Sequence, residues 1–263
     1  MGDVGEYMCD MSQGTRHAIV IDPADQTPEI AANRALAAAH AGSSMILVGG
    51  SSDTDMDNVH ATIVAIKEAL ELVTWAASQD SDLEGGVQIP VVLFPQGAAA
   101  LSPAADGITF MMLMNSMDQR FLIGEQVKGA PFVKKAGIEP VPMGYLICEP
   151  GGKAGQVGSA ELIGPTETER VEAYAMTAQF LGFRLFYLEA GSGADYPVNP
   201  DLIRAARDSC DLPIIVGGGI RDSRAARAAS EAGADWIITG NITEEYDDAS
   251  ELQVVLSDLI SGI

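Results

Sequence analysis

Short apolar runs alternate with helix-like runs along nearly the whole chain, and this rhythm limits the fold more than any single motif does. Eight runs read as strands: 17–22 ("HAIVID"), 44–50, 90–95, 107–113, 140–150, 183–190, 212–219 and 235–241. Amphipathic or well-capped segments fall between them, at 27–42, 54–78, 118–136, 166–182, 199–210, 222–233 and 248–261. The first has Thr27 as N-cap, Pro28 at the first helical position and Gly42 as stop, and "TETE" opens the segment at 166 like a capping box. Eight buried strands with intervening helices predict an α/β fold, a (β/α)8 TIM barrel filling one domain over 1–263. One interval breaks the pattern. "QGAAALSPAAD" (96–106) holds Pro103 and small residues, so a loop or single turn is expected in place of the helix between strands three and four. The acidic stretch 79–88 reads as an exposed insertion on the face away from the chemistry, and 1–16 as a polar cap or frayed segment.

Composition removes several function classes. The longest apolar runs, such as "FMMLM" at 110–114, are far short of the roughly 20 residues a membrane span needs. No basic-then-apolar leader opens the sequence. Cys9, Cys148 and Cys210 lack metal-like spacing, and an odd count suggests reduced thiols and a cytoplasmic location. A formal net charge of −22 argues against nucleic acid as a partner and leaves at most transient contact with an anionic membrane surface.

In a barrel the chemistry stands at the C-terminal ends of the strands. Strand seven ends in "VGGGI" and strand eight in "TGN", so Gly218, Gly219, Gly240 and Asn241 supply bare backbone next to short helix starts, as phosphate sites do. Strand six ends in "YLEAGSG" (187–193), where Glu189 precedes a turn that suits an anion. A carboxylate repels anions, so a bound phosphate alone does not account for Glu189, a candidate catalytic residue. Asp22 ends strand one in "VIDP". It is either a turn former or a magnesium ligand completed by Ser51 or Ser52, and spacing leaves both open. Met111, Met112, Met114 and Met117 suit either an apolar channel or the barrel core, and the helix over 121–133 either lines that channel or packs on the sheet. His40 and His60 fall on helices, His17 stands at the very start of strand one, and Arg221 follows the strand-seven glycines.

Longer blocks are more specific. "LVGGSSDTD", "VLFP", "NSMD", "PMGYLICEPGGKAGQVG", "RLFYLEAGSGADYPV" and "VGGGIRD…GADWIITGN" resemble the geranylgeranylglyceryl phosphate synthase family over about residues 17–245. The resemblance implies a Mg²⁺-dependent prenyltransferase. It joins geranylgeranyl diphosphate to the C3 hydroxyl of sn-glycerol 1-phosphate, the first ether bond of archaeal membrane lipids. Asp22 and Ser51 match the family's metal positions. Tyr187, Leu188, Glu189, Ala190, Gly191, Ser192 and Gly193 match its glycerol-phosphate segment. Gly218, Gly219, Gly240 and Asn241 match its phosphate loops. A homo-oligomer is implied too. A longer-tail heptaprenyl relative, or another phosphate-binding barrel enzyme, is the alternative.

Overall fold

The computed structural model describes residues 4–50, 53–78 and 89–263. Eight parallel strands close on themselves in sequence order: β1 (Arg16–Ile21), β2 (Met45–Val48), β3 (Val91–Leu93), β4 (Gly107–Leu113), β5 (Glu139–Ile147), β6 (Leu185–Glu189), β7 (Ile214–Gly217) and β8 (Trp236–Thr239). β8 pairs back onto β1 with Ile19 opposite Thr239. The expected barrel is therefore present, with strands somewhat shorter than the apolar runs.

Pleating sends alternate side chains to two cores. Ala18, Met45, Leu47, Met143, Tyr187 and Trp236 fill the barrel interior. Ile19, Ile46, Val48, Leu188 and Val216 face the helices outside it. The outer ring is α2 (Pro28–Ala41), α3 (Met56–Ser78), α4 (Glu125–Ala136), α6 (Thr168–Phe180), α7 (Pro200–Ser209), α8 (Ser223–Glu231) and α9 (Ala249–Ile260). The short α5 (Gly152–Val157) sits at the strand tops after β5. No helix separates β3 from β4, as Pro103 and its neighbours require.

Two expectations need correction. Residues 4–16 form the cap and not the frayed end, and the cap is apolar where it meets the barrel. α1 (Val4–Cys9) closes the bottom of the barrel with buried Val4 and Met8, and the Met8 carbonyl accepts from Trp236 Nε1 at 2.9 Å. The Arg16 guanidinium lies 4.0 Å over the Trp236 ring and donates to the carbonyls of Tyr7 and Asp10, fixing that plug. His17 belongs to β1, buried between Ser43 Oγ (2.8 Å) and Thr239 Oγ1 (2.9 Å). The capping box at 166 does not form. α6 starts at Thr168, because the Glu167 carboxylate turns back to the Gly164 amide (2.6 Å) and pairs with Arg170. At α2, by contrast, Thr27 accepts from the Ile30 amide and Gly42 closes the helix at φ 105°. The 79–88 insertion lies outside the described residues. Among those described, no helix is long and apolar enough to cross a membrane.

Candidate active site

The C-terminal strand ends surround a cavity of about 220 Å³. Its polar half is lined by Asp22, Gly49, Gly50, Glu189, Ser192, Gly218, Gly219, Gly240 and Asn241. Its apolar half runs sideways through Phe94, Leu101, Ile108, Met111 and Phe121 to Val133. This second half occupies the gap left by the missing helix, between the β3–β4 loop and α4.

Glu189 is the last residue of β6, and its side chain points inward with Tyr187 two positions before it. It is buried and accepts hydrogen bonds from the Tyr187 hydroxyl and, at 2.7 Å, from the Gly191 amide. Burial raises its carboxyl above the ordinary value; those two hydrogen bonds pull the other way. Tyr187 is held in turn by Tyr145, whose ring stacks on it at 5.0 Å. The carboxylate is thus fixed in position and is a stronger proton acceptor than an exposed glutamate.

The Gly-Ser-Gly turn is not the open cradle its sequence suggests. The Gly191 amide is taken by Glu189 and the Gly193 amide by Asn241 Oδ1 (2.8 Å). The amides of Gly218, Gly219, Gly240 and Asn241 form no backbone hydrogen bond among the described residues, which leaves them to an anion. Gly218 is required twice over. Its φ is 80°, and a Cβ there would stand 2.2 Å from Glu189 Oε1. The inferred segment 187–193 therefore divides. Tyr187, Glu189 and Ser192 line the cavity, whereas Leu188 and Ala190 point into the helix-facing core, since strand residues alternate.

Asp22 stands just past β1 with its carboxylate against Gly50, where any Cβ would lie 1.8 Å from Oδ2. Partial burial, with Asp25 and Glu244 adding negative charge, raises its carboxyl to about 6; the Ala24 amide and Lys153 oppose this. Ser51, the second expected metal ligand, lies outside the described residues, as does Ser52. Among the described residues no cluster of three metal-type ligands exists. One carboxylate in a negatively biased pocket fits a magnesium ion that shares its coordination with phosphate oxygens and water.

Lys153 escaped the sequence reading. Its backbone amide donates to the Ser192 carbonyl (3.1 Å) and Gly151 donates to that of Ala190, which ties the start of α5 to the β6 loop and sets this lysine's charge near Asp22. Its signal was present as the one cation within "EPGGKAGQVG". Gln126 was missed as well. It lines the cavity, and its Oε1 is buried without a partner. The helix after β4 does line the channel, through Phe121, Glu125, Gln126, Gly129 and Val133. Of the methionines only Met111 does so; Met114 packs outside the sheet and Met117 is exposed. Arg221 lines the cavity beside Glu245, and His60 is bound to Ser102.

The profile of the PcrB family matches residues 10–257. The chain belongs to the PcrB family. A relative, the geranylgeranylglyceryl phosphate synthase of Methanococcoides burtonii, is 42% identical over 263 residues, covering 99% of this chain and 98% of its own. The wild-type enzyme of that type from Thermoplasma volcanium superposes with a TM-score of 0.87 at 38% identity, over 99% of this chain and 97% of that one. The (S)-3-O-geranylgeranylglyceryl phosphate synthase of Thermoplasma acidophilum, solved with its substrate sn-glycerol-1-phosphate, gives the same TM-score and identity over the full length of both.

Proposed function

We propose that this protein is a geranylgeranylglyceryl phosphate synthase. It transfers the prenyl group of geranylgeranyl diphosphate to the C3 hydroxyl of sn-glycerol 1-phosphate and releases diphosphate. The observation that carries this is the cavity itself. One space links unpaired phosphate-type amides at Gly218, Gly219, Gly240 and Asn241, a buried carboxylate at Glu189, the Asp22 carboxylate and an apolar side channel.

Each group has a part in that reaction. The strand-seven and strand-eight amides anchor the glycerol phosphate. Tyr187 and Glu189 orient the acceptor hydroxyl, and Glu189 takes its proton as the new C–O bond forms and the prenyl C1–O bond to diphosphate breaks. Asp22, with Ser51 in the family pattern, is the residue to hold Mg²⁺, which when bound neutralises the diphosphate leaving group. Lys153 adds positive charge on the same side. Phe94, Leu101, Ile108, Phe121 and Val133 receive the tail in an apolar groove, where each buried CH₂ contributes about 0.8 kcal/mol. A cytoplasmic homo-oligomer belongs to the same proposal, and light scattering tests the association.

The test is one assay with sn-glycerol 1-phosphate, Mg²⁺ and donors of two to seven isoprene units. Ether product is expected with the four-unit donor, is lost with EDTA, and falls at least a hundredfold in Asp22→Ala. Absence of product with every donor overturns the assignment. Preference for a seven-unit donor assigns the longer-tail activity instead, and equal turnover of sn-glycerol 3-phosphate removes the stereochemical part.

A further inference from the structure

The chain carries 37 acidic and 15 basic residues, yet one segment reverses that balance. Between Met117 and Gly137 stand four basic residues, Arg120, Lys128, Lys134 and Lys135, against two acidic ones, Asp118 and Glu125. Glu125 is turned inward, accepting from the Ala98 amide, and pairs with Arg120 and Lys128. Lys134 and Lys135, at the end of α4, are exposed.

The same segment exposes apolar surface. Met117 is 76% exposed, Val127 64% and Ile123 43%. Ile123 and Val127 are one helical turn apart and share the solvent side of the segment. The opposite side, through Phe121, Gln126, Gly129 and Val133, lines the apolar channel. Met117 donates its amide to the Ser159 carbonyl, which brings the end of α5 alongside, where Val157 is 39% exposed and also lines the channel. A protein of this charge gains nothing by placing exposed apolar residues and its basic island along one helical segment whose inner side lines the channel.

We propose that this face, from Met117 through α4 with the end of α5, docks on an anionic lipid surface and takes the prenyl tail from the bilayer straight into the channel. The docking rests on the prenyl-donor assignment above, because a donor of about 20 carbons resides in lipid and not in water. Charge complementarity selects the partner: basic side chains beside exposed apolar ones are what an anionic interface holds. The net charge of −22 does not prevent this, since at physiological ionic strength charges beyond about 8 Å are screened and the nearest lysines dominate. Contact stays reversible, because three or four apolar side chains and a few cations fall well short of an anchor.

The experiment is vesicle flotation of the full chain, with phosphatidylcholine alone and with equal parts phosphatidylcholine and phosphatidylglycerol. Wild type is expected to float with the anionic vesicles only, and less at raised salt. The double variant Lys134→Glu/Lys135→Glu should partition about thirtyfold more weakly, near fivefold for each lysine removed; Val127→Ser should also weaken it. With a water-soluble two-unit prenyl diphosphate both variants should turn over like wild type, while with the four-unit donor presented in anionic vesicles they should slow. Failure of wild type to float, equal flotation of the variants, or equal slowing on both donors overturns the docking. A smaller particle mass for Val127→Ser in light scattering, with no flotation of wild type, assigns the face to a second copy and also overturns it. Wild type inactive on both donors would overturn the prenyltransferase assignment, and flotation would still report on the surface.

Discussion

Replacing Glu189 by glutamine alters one atom of the side chain and nothing of its size. The native carboxylate accepts from the Gly191 amide through Oε1 and from the Tyr187 hydroxyl through Oε2. In Glu189→Gln the amide oxygen keeps the Gly191 bond. The amide nitrogen then faces the Tyr187 oxygen, so the buried hydroxyl must turn and give up its acceptor, at a cost of about 1–3 kcal/mol. Against this, the variant no longer buries an ionisable carboxyl. The sign of that relief depends on pH. Glu189 binds its proton more tightly folded than unfolded, so its stabilising contribution is complete below the ordinary value of 4.5 and is lost as pH rises through the raised folded value. Wild type should therefore lead the variant in Tm by most at the acid end of that window, and the lead should shrink toward neutrality. The net change at neutral pH stays within about 2 kcal/mol, and the fold survives. Catalysis does not. Loss of a positioned general base costs 10²- to 10⁴-fold, or about 2.7–5.4 kcal/mol in the barrier. Steady-state kinetics with both substrates should show kcat falling by that factor, with the KM for sn-glycerol 1-phosphate within a few fold. A kcat within threefold of wild type would show that Glu189 takes no proton and only braces Tyr187.

Two other perturbations probe the same frame. Gly218→Ala forces a left-handed residue, costing about 1–2 kcal/mol, and drives a Cβ against Glu189 Oε1; kcat/KM should fall about a hundredfold, and near-native turnover would detach Gly218 from the site. His17 is held at a pKa of about 3 by burial, so it opposes folding as pH drops from its ordinary 6.5 toward 3. His17→Asn should be less stable at neutral pH, yet lose stability less steeply across that window in thermal melts, and parallel melting curves would refute this.

The barrel was legible because eight strands leave a periodic record and the loop at 96–106 breaks it with a proline. The glycine turn after β7 was legible because glycine is required where φ is positive, as at Gly218 and Gly219. The α1 plug was not, since "VGEYMC" has no marked periodicity and is ordered by what it touches: Trp236, Arg16, and the Glu139 carboxylate that accepts from the amides of Val4 and Gly5. The outward turn of Leu188 and Ala190 follows from strand alternation once Glu189 is taken as inward, but a motif matched as one block conceals it. Lys153 was legible as the one cation of its motif, but its closeness to Asp22 was not, because backbone bonds join α5 to the β6 loop across nearly 40 residues.

The gap in the helical ring between β3 and β4 also separates two evolutionary problems. On the proposed function, head-group recognition runs along the barrel axis, on glycines such as Gly218 and Gly219 whose positive φ leaves them little freedom to change. On the same proposal the hydrocarbon runs across that axis, among side chains such as Leu101, Phe121 and Val133 that belong to a loop and a single outer helix. On that proposal, substitution there redraws the length of groove available to a tail while the strand-end glycines stay as they are, so tail length and head-group recognition can change independently of each other.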